Sequence, residues 1–277
     1  MICSITNIGE CVVEFLFKFI LDLINTVIKP LLNLIKFFLS EPVNTSLFSE
    51  PWSIIIYILS LTYGLILVYI GLKFMLSGNS PEQRESAKSS LRNIIIMIIL
   101  IQSSFIIYSL ILDISGALTG TILDLTGDDF FRLTFNSFSS FALELIFLGL
   151  YLLHLLVVLL ILIIRYIVVS AGVLFFVLGI FFYFISLLQN FGKLILYTLG
   201  TLIFIPFFYS IVFLAASRII ELSIFSHIKI LIMIGSLDII ILGTLIMLLF
   251  VLIKAALKIA GPVSKLVTIV SSVAAAI

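Results

Sequence analysis

Residues 141–188 read FALELIFLGLYLLHLLVVLLILIIRYIVVSAGVLFFVLGIFFYFISLL, and in this run only Glu144, His154 and Arg165 are ionisable. A hydrocarbon core about 30 Å thick is crossed by roughly 20 helical residues. The run is therefore long enough for two crossings. Backbone amides find no water in lipid, so an unbroken apolar stretch of this kind is met by helices, and the apolar–polar alternation of a membrane barrel is absent. A single helix over the whole run is not expected. The composition predicts two helices, 141–164 and 167–188, bending near Arg165 or at Ser170-Ala171-Gly172, with the second alternatively a re-entrant hairpin.

Further apolar blocks lie on either side, at 54–72, 94–112, 194–216 and 230–253. The expected fold is all-α, a transmembrane bundle of about six spans over 41–277, preceded by an amphipathic region over 1–40. Of the 277 residues 63% are hydrophobic and 10% charged, against about 25% charged in ordinary soluble domains. Loops and spans consume the length, which leaves no room for a sizeable soluble catalytic domain. A net charge of +1 supplies no global attraction for nucleic acid, so an electrostatic partner must be met by a local patch. Cys3 and Cys11 with two distant histidines make neither a metal site nor a disulfide framework, and no cofactor is expected.

Between Cys11 and Leu39 the polar residues Glu14, Lys18, Asp22, Asn25, Lys29, Asn33 and Lys36 recur at helical spacing and form one wet stripe. Such a helix lies in the membrane interface or presses its stripe on polar partners. Pro30 is expected to divide it into two pieces. The alternative is a first span whose stripe faces a pore.

The first hairpin is the best punctuated. After 54–72 come Gly71 to Gly78, then Ser80 as a helix cap, Pro81 in the first turn and Gln83 at the capping-box position. A helix over 81–112 is predicted, about 48 Å long, with a polar stalk ahead of its apolar part. Arg84, Lys88 and Arg92, four apart, line one side of the stalk, with Lys73 nearby. They suit lipid phosphates or a docking partner. This basic loop belongs in the cytoplasm by the positive-inside rule, which places the N-terminus and the segment 113–140 outside. That outer segment carries Asp113, Asp124, Asp128 and Asp129 against Arg132. Gly116, Gly120 and Gly127 are expected to make it a loop or small cap with at most a short helix.

No catalytic signature occurs, and an enzyme is not expected. Ionisable residues inside spans are the remaining candidates, because each is costly in lipid unless paired or wetted. Glu144, His154, Arg165 and Asp238 qualify, and His154 with Asp238 is a possible pair in the bundle interior. Interhelical hydrogen bonding is the plainer reading of these residues and of Gln102-Ser103-Ser104.

The run Gly71-Leu72-Lys73-Phe74-Met75-Leu76-Ser77-Gly78-Asn79-Ser80-Pro81-Glu82-Gln83-Arg84, with Ala87-Lys88 and an Ile-rich span after it, resembles the membrane components of conjugation-type DNA-transfer systems. Arg165-Tyr166-Ile167-Val168-Val169-Ser170 and Phe204-Ile205-Pro206-Phe207-Phe208 are similar to segments of the TrbL-like members. The isoleucine-rich, short-loop style looks most like the CedA-like component of the crenarchaeal DNA-exchange (Ced) system. Where that family carries a proline-containing segment after the Arg, this chain has Ser170-Ala171-Gly172-Val173. The resemblance implies a pore subunit for DNA import, driven by a separate cytoplasmic ATPase and working with small pilin-like membrane subunits. A passage for DNA would then form between copies of the chain, as a homo-oligomer. A small-solute or ion transporter using His154, Asp238 and Glu144 is the first competing reading. A membrane scaffold anchored through its stripe and stalk is the second.

Overall fold

The structure is a computed structural model and describes residues 8–76, 80–127, 141–186, 188–222, 224 and 228–274. Those residues form seven α-helices and a single 3-10 turn, with no strand among them. The helices are α1 Ile8–Ser40, α2 Ser49–Leu76, α3 Pro81–Gln102, α4 Ser104–Thr126, α5 Phe141–Phe184, α6 Gln189–Ile220 and α7 Lys229–Ala274. Five of them, α2, α4, α5, α6 and α7, are long and apolar enough to cross a membrane, as a multi-pass membrane protein requires.

Five candidates stand where six were expected: α5 joins two of the blocks into one helix, while a break at Ser103 moves the second span without changing the count. The block 94–112 is divided. Ser103 leaves helical geometry at φ −90° and ψ 1°, and its hydroxyl donates to the Ile99 carbonyl at 2.6 Å. Back-bonding of this kind competes with the helical ladder and bends helices. The polar turns 81–92 and the apolar turns 94–102 thus share α3, while the membrane-length helix begins at Ser104. Helix α5 runs unbroken for 44 residues through both apolar blocks. Ser170-Ala171-Gly172 is not a turn. A Cβ on Gly172 would overlap the Tyr108 hydroxyl and stand 2.9 Å from Leu199 Cδ2. Tyr108 donates to the Val169 carbonyl at 2.6 Å, and Ser170 donates to the Asn44 carbonyl at 2.8 Å. The small residues here let neighbouring helices approach the backbone.

Two further expectations are corrected. Pro30 sits inside α1 without ending it, because the proline forfeits one ladder bond and the flanking turns keep theirs. Gly116 and Gly120 do not break the segment after the second block, which is helical to Thr126. Gly127, at φ +72°, then ends α4 in the left-handed conformation that a side chain disfavours. A Cβ at Gly116 would stand 2.9 Å from the Ser40 carbonyl oxygen, so this glycine admits the end of α1. Asp128, Asp129, Arg132, His227 and the turn 77–79 lie outside the described residues.

Compactness divides the chain into two units. Unit 1 comprises residues 1–42, 115–166 and 205–245; unit 2 comprises 43–114, 167–204 and 246–277. In unit 1, α1 buries Ile28, Leu32, Ile35 and Leu39, and α5 buries Leu148, Tyr151, Leu155, Val158 and Leu162. Both series step by three and four, the spacing of one helix face. Arg165 falls in register with the α5 series and is buried too. In unit 2 the core joins Leu59, Tyr63 and Ile70 of α2, Ile94, Met97 and Ile101 of α3, and Val177, Ile180 and Phe181 of α5. The turn from α5 to α6 is tight, and a Cβ at Gly192 would lie 2.7 Å from the Gly179 carbonyl oxygen.

Candidate functional site

In unit 1 the structure brings together His154 of α5 and Asp238 of α7. Nε2 of the ring lies 2.9 Å from Oδ1 of the carboxylate. The other ring nitrogen, Nδ1, lies 2.6 Å from the Leu150 carbonyl one turn earlier in α5. Both residues occupy apolar helices of membrane length. The pair is not sealed in the interior, since 22% of the His154 side chain and 47% of the Asp238 side chain stay accessible. One turn before His154, Tyr151 is 1% exposed and its hydroxyl has no hydrogen-bond partner among the described residues.

Arg165 is not part of this pair. Its Nη1 donates to the Phe38 carbonyl at 3.3 Å, in the last turn of α1. Terminal carbonyls of a helix have no intrahelical donor and carry the negative end of its dipole, so a buried guanidinium there serves both needs. Tyr166 stacks edge-on against Phe38 with ring centroids 5.3 Å apart. The Glu144 side chain lies outside the described residues, as do those of Glu14 and Lys18.

The remaining stripe residues have separate fates. Asp22 and Lys29 are exposed. Lys36 is half-buried and, with Ser40, Gly120, Leu123, Asp124 and Gly127, lines a cavity of about 210 Å³. This cavity adjoins the ends of α1 and α4.

In unit 2 the stalk is capped as its sequence predicts. Ser80 is the cap, its hydroxyl accepts from the Gln83 amide at 3.3 Å, and Pro81 opens the first turn. Arg84, Lys88 and Arg92 are all exposed. At 100° per residue they occupy an arc of about 80°, roughly opposite Ala87, Ile94, Met97 and Ile101, which are buried. Lys73 belongs elsewhere. Its Nζ crosses from α2 to α3 and donates to Ser86 Oγ at 3.0 Å and Ser90 Oγ at 3.3 Å, so it braces the hairpin. The basic ridge therefore consists of three side chains, with Lys73 on the packed side. Glu82 and Glu85 are exposed on the same turns, so the ridge is a stripe of positive charge on a mixed surface.

Ser104 makes the interhelical bond its sequence suggested, with a partner that was not foreseen, and further polar contacts were not foreseen at all. Trp52 Nε1 donates to Ser104 Oγ at 3.0 Å, tying α2 to the start of α4, and Ser104 so makes an interhelical bond. Tyr209 of α6 shares a hydrogen bond with Thr244 of α7. Lys254 places its ammonium over the rings of Tyr197 and Phe250, 4.4 Å and 4.2 Å from their centroids. The available signal was only that Tyr, Trp and Thr recur in spans where every polar tip must find a partner. Comparison with models of protein families, with curated proteins and with solved structures finds no match to this chain, so its family resemblance rests on the quoted residues alone.

Proposed function

We propose that this chain is a membrane-embedded subunit of a conjugation-type DNA-import machine of the CedA-like and TrbL-like kind. A separate ATPase drives the DNA, and copies of the chain together line the passage. The observation that carries the reading is the exposed ridge of Arg84, Lys88 and Arg92, held clear of the apolar part of α3. A translocation subunit needs no catalytic group of its own. It needs a fixed cationic surface on which a motor docks or phosphates are guided. The hydrogen bonds from Lys73 to Ser86 and Ser90 hold the stalk against α2, which keeps the ridge in one orientation. No buried residue follows Ile240 among those of α7 whose side chains are described, and that apolar surface suits assembly with further copies or with small membrane subunits.

The test is a marker-exchange assay between cells, with the gene deleted separately in donors and recipients. Loss of exchange only in recipients lacking the gene supports import. Arg84→Glu combined with Lys88→Glu should then lower exchange at least tenfold at an unchanged level of protein in the membrane. A second reading has its own observation. The 2.9 Å contact of His154 with Asp238 is what an ion or small-solute transporter would place within its spans. Unchanged exchange in both deletions, with solute uptake abolished by His154→Ala, transfers the function to that pair.

A further inference from the structure

We propose that His154 and Asp238 form a proton-binding site within the membrane-length part of unit 1, holding one proton shared between the imidazole Nε2 and the carboxyl Oδ1. The assignment comes from counting lone pairs. The Leu150 carbonyl oxygen can only accept, so at 2.6 Å Nδ1 of His154 carries a hydrogen. The second ring nitrogen lies 2.9 Å from Oδ1 of Asp238. Two bare lone pairs do not settle at that separation, and one hydrogen must lie between them. It belongs either to an imidazolium facing a carboxylate or to a carboxylic acid facing a neutral ring. The two descriptions have the same number of protons and the same net charge of zero.

With one proton the pair carries no net charge, whereas its loss would leave one negative charge and a second proton one positive charge. Along α5 and α7, the charged groups among the residues whose side chains are described lie well away from the pair along the axis. On α5, Tyr151 is one turn away and Arg165 about 16 Å along the axis, bonded to the Phe38 carbonyl. On α6, Tyr209 is hydrogen-bonded to Thr244, which lies about 9 Å beyond Asp238 along α7; Lys229 lies about 14 Å before it. The contact of His154 with Asp238 joins α5 to α7. This holds whether the chain passes DNA or a small solute, because the assignment uses only the pair's geometry.

The chain has two histidines, so His227→Ala leaves His154 as the single ring to observe. The measurement is made at neutral pH on ¹⁵N-histidine-labelled protein in lipid nanodiscs, by ring-nitrogen NMR together with the infrared carboxyl region. Two protonated ring nitrogens, or one with a protonated-carboxyl band that disappears in Asp238→Asn, is the result expected. In Asp238→Asn the carboxamide donates to Nε2, and the ring should become neutral with one bare nitrogen. A wild-type ring with one bare nitrogen and no carboxylic band sensitive to Asp238→Asn overturns the proposal.

Discussion

Gly172 shows how a residue is read one way in sequence and another in space. After Ser170-Ala171 it resembles a turn, yet it lies in mid-helix because the Tyr108 hydroxyl and Leu199 occupy the space a methyl would need. Gly172→Ala should destabilise the protein by about 1–3 kcal/mol, the usual cost of overpacking a close contact. Gly64→Ala, where nothing lies within 4 Å of the added Cβ, should be neutral or gain a few tenths up to about 1 kcal/mol from helix propensity. Thermal unfolding of both variants in bicelles checks this, and equal shifts would contradict it. For His154 and Asp238 the sequence offered a possible pair beside the plainer reading of interhelical hydrogen bonding, and the structure brings the two together. Few ionisable residues occur within the spans, and each has strong reason to find another. What could not be read is that Arg165 turns to the end of α1, since a helix terminus offers carbonyls that no side-chain pattern announces.

Among the elements, α3 and α5 carry the lesson. The capping of α3 was legible down to Ser80, Pro81 and Gln83 because caps are local chemistry. Its end was not, because the bond of Ser103 to the carbonyl four residues back is also made by Ser90 within α3, where the helix continues. In α5 the continuity of the helix predicts slow hydrogen exchange for the amides of 167–176, since each keeps its ladder bond. Fast exchange confined to 170–173 would indicate the turn that composition suggested. On α3, Lys73→Ala removes both donors to Ser86 and Ser90 and should raise exchange in the stalk 81–90 while leaving 94–101 protected. Equal loosening of both stretches would mean that Lys73 supports the whole hairpin.

At the scale of the molecule, α7 bears on assembly. From Leu242 to Leu257 it presents Leu245, Ile246, Leu248, Leu249, Leu252 and Ile253 as exposed apolar residues. If copies assemble along this helix, Leu249→Cys in a background with Cys3 and Cys11 changed to Ser should give an oxidised dimer in native membranes. The same change at Tyr57, exposed on α2, should give less. Absence of any dimer at either position would argue against a homo-oligomer joined along α7. The sequence by itself determined that the chain is helical and membrane-bound, where the stalk begins, and which ionisable residues lie in spans. These follow from composition and from contacts within a few residues, where the cost of an unpaired amide or charge in lipid leaves little choice. Only the tertiary structure decided that two apolar blocks are one helix, that Lys73 braces the hairpin apart from the basic ridge, and that His154 meets Asp238 at 2.9 Å. Those outcomes depend on which faces of distant helices pack together, and spacing along one helix carries no information about the register of its neighbour.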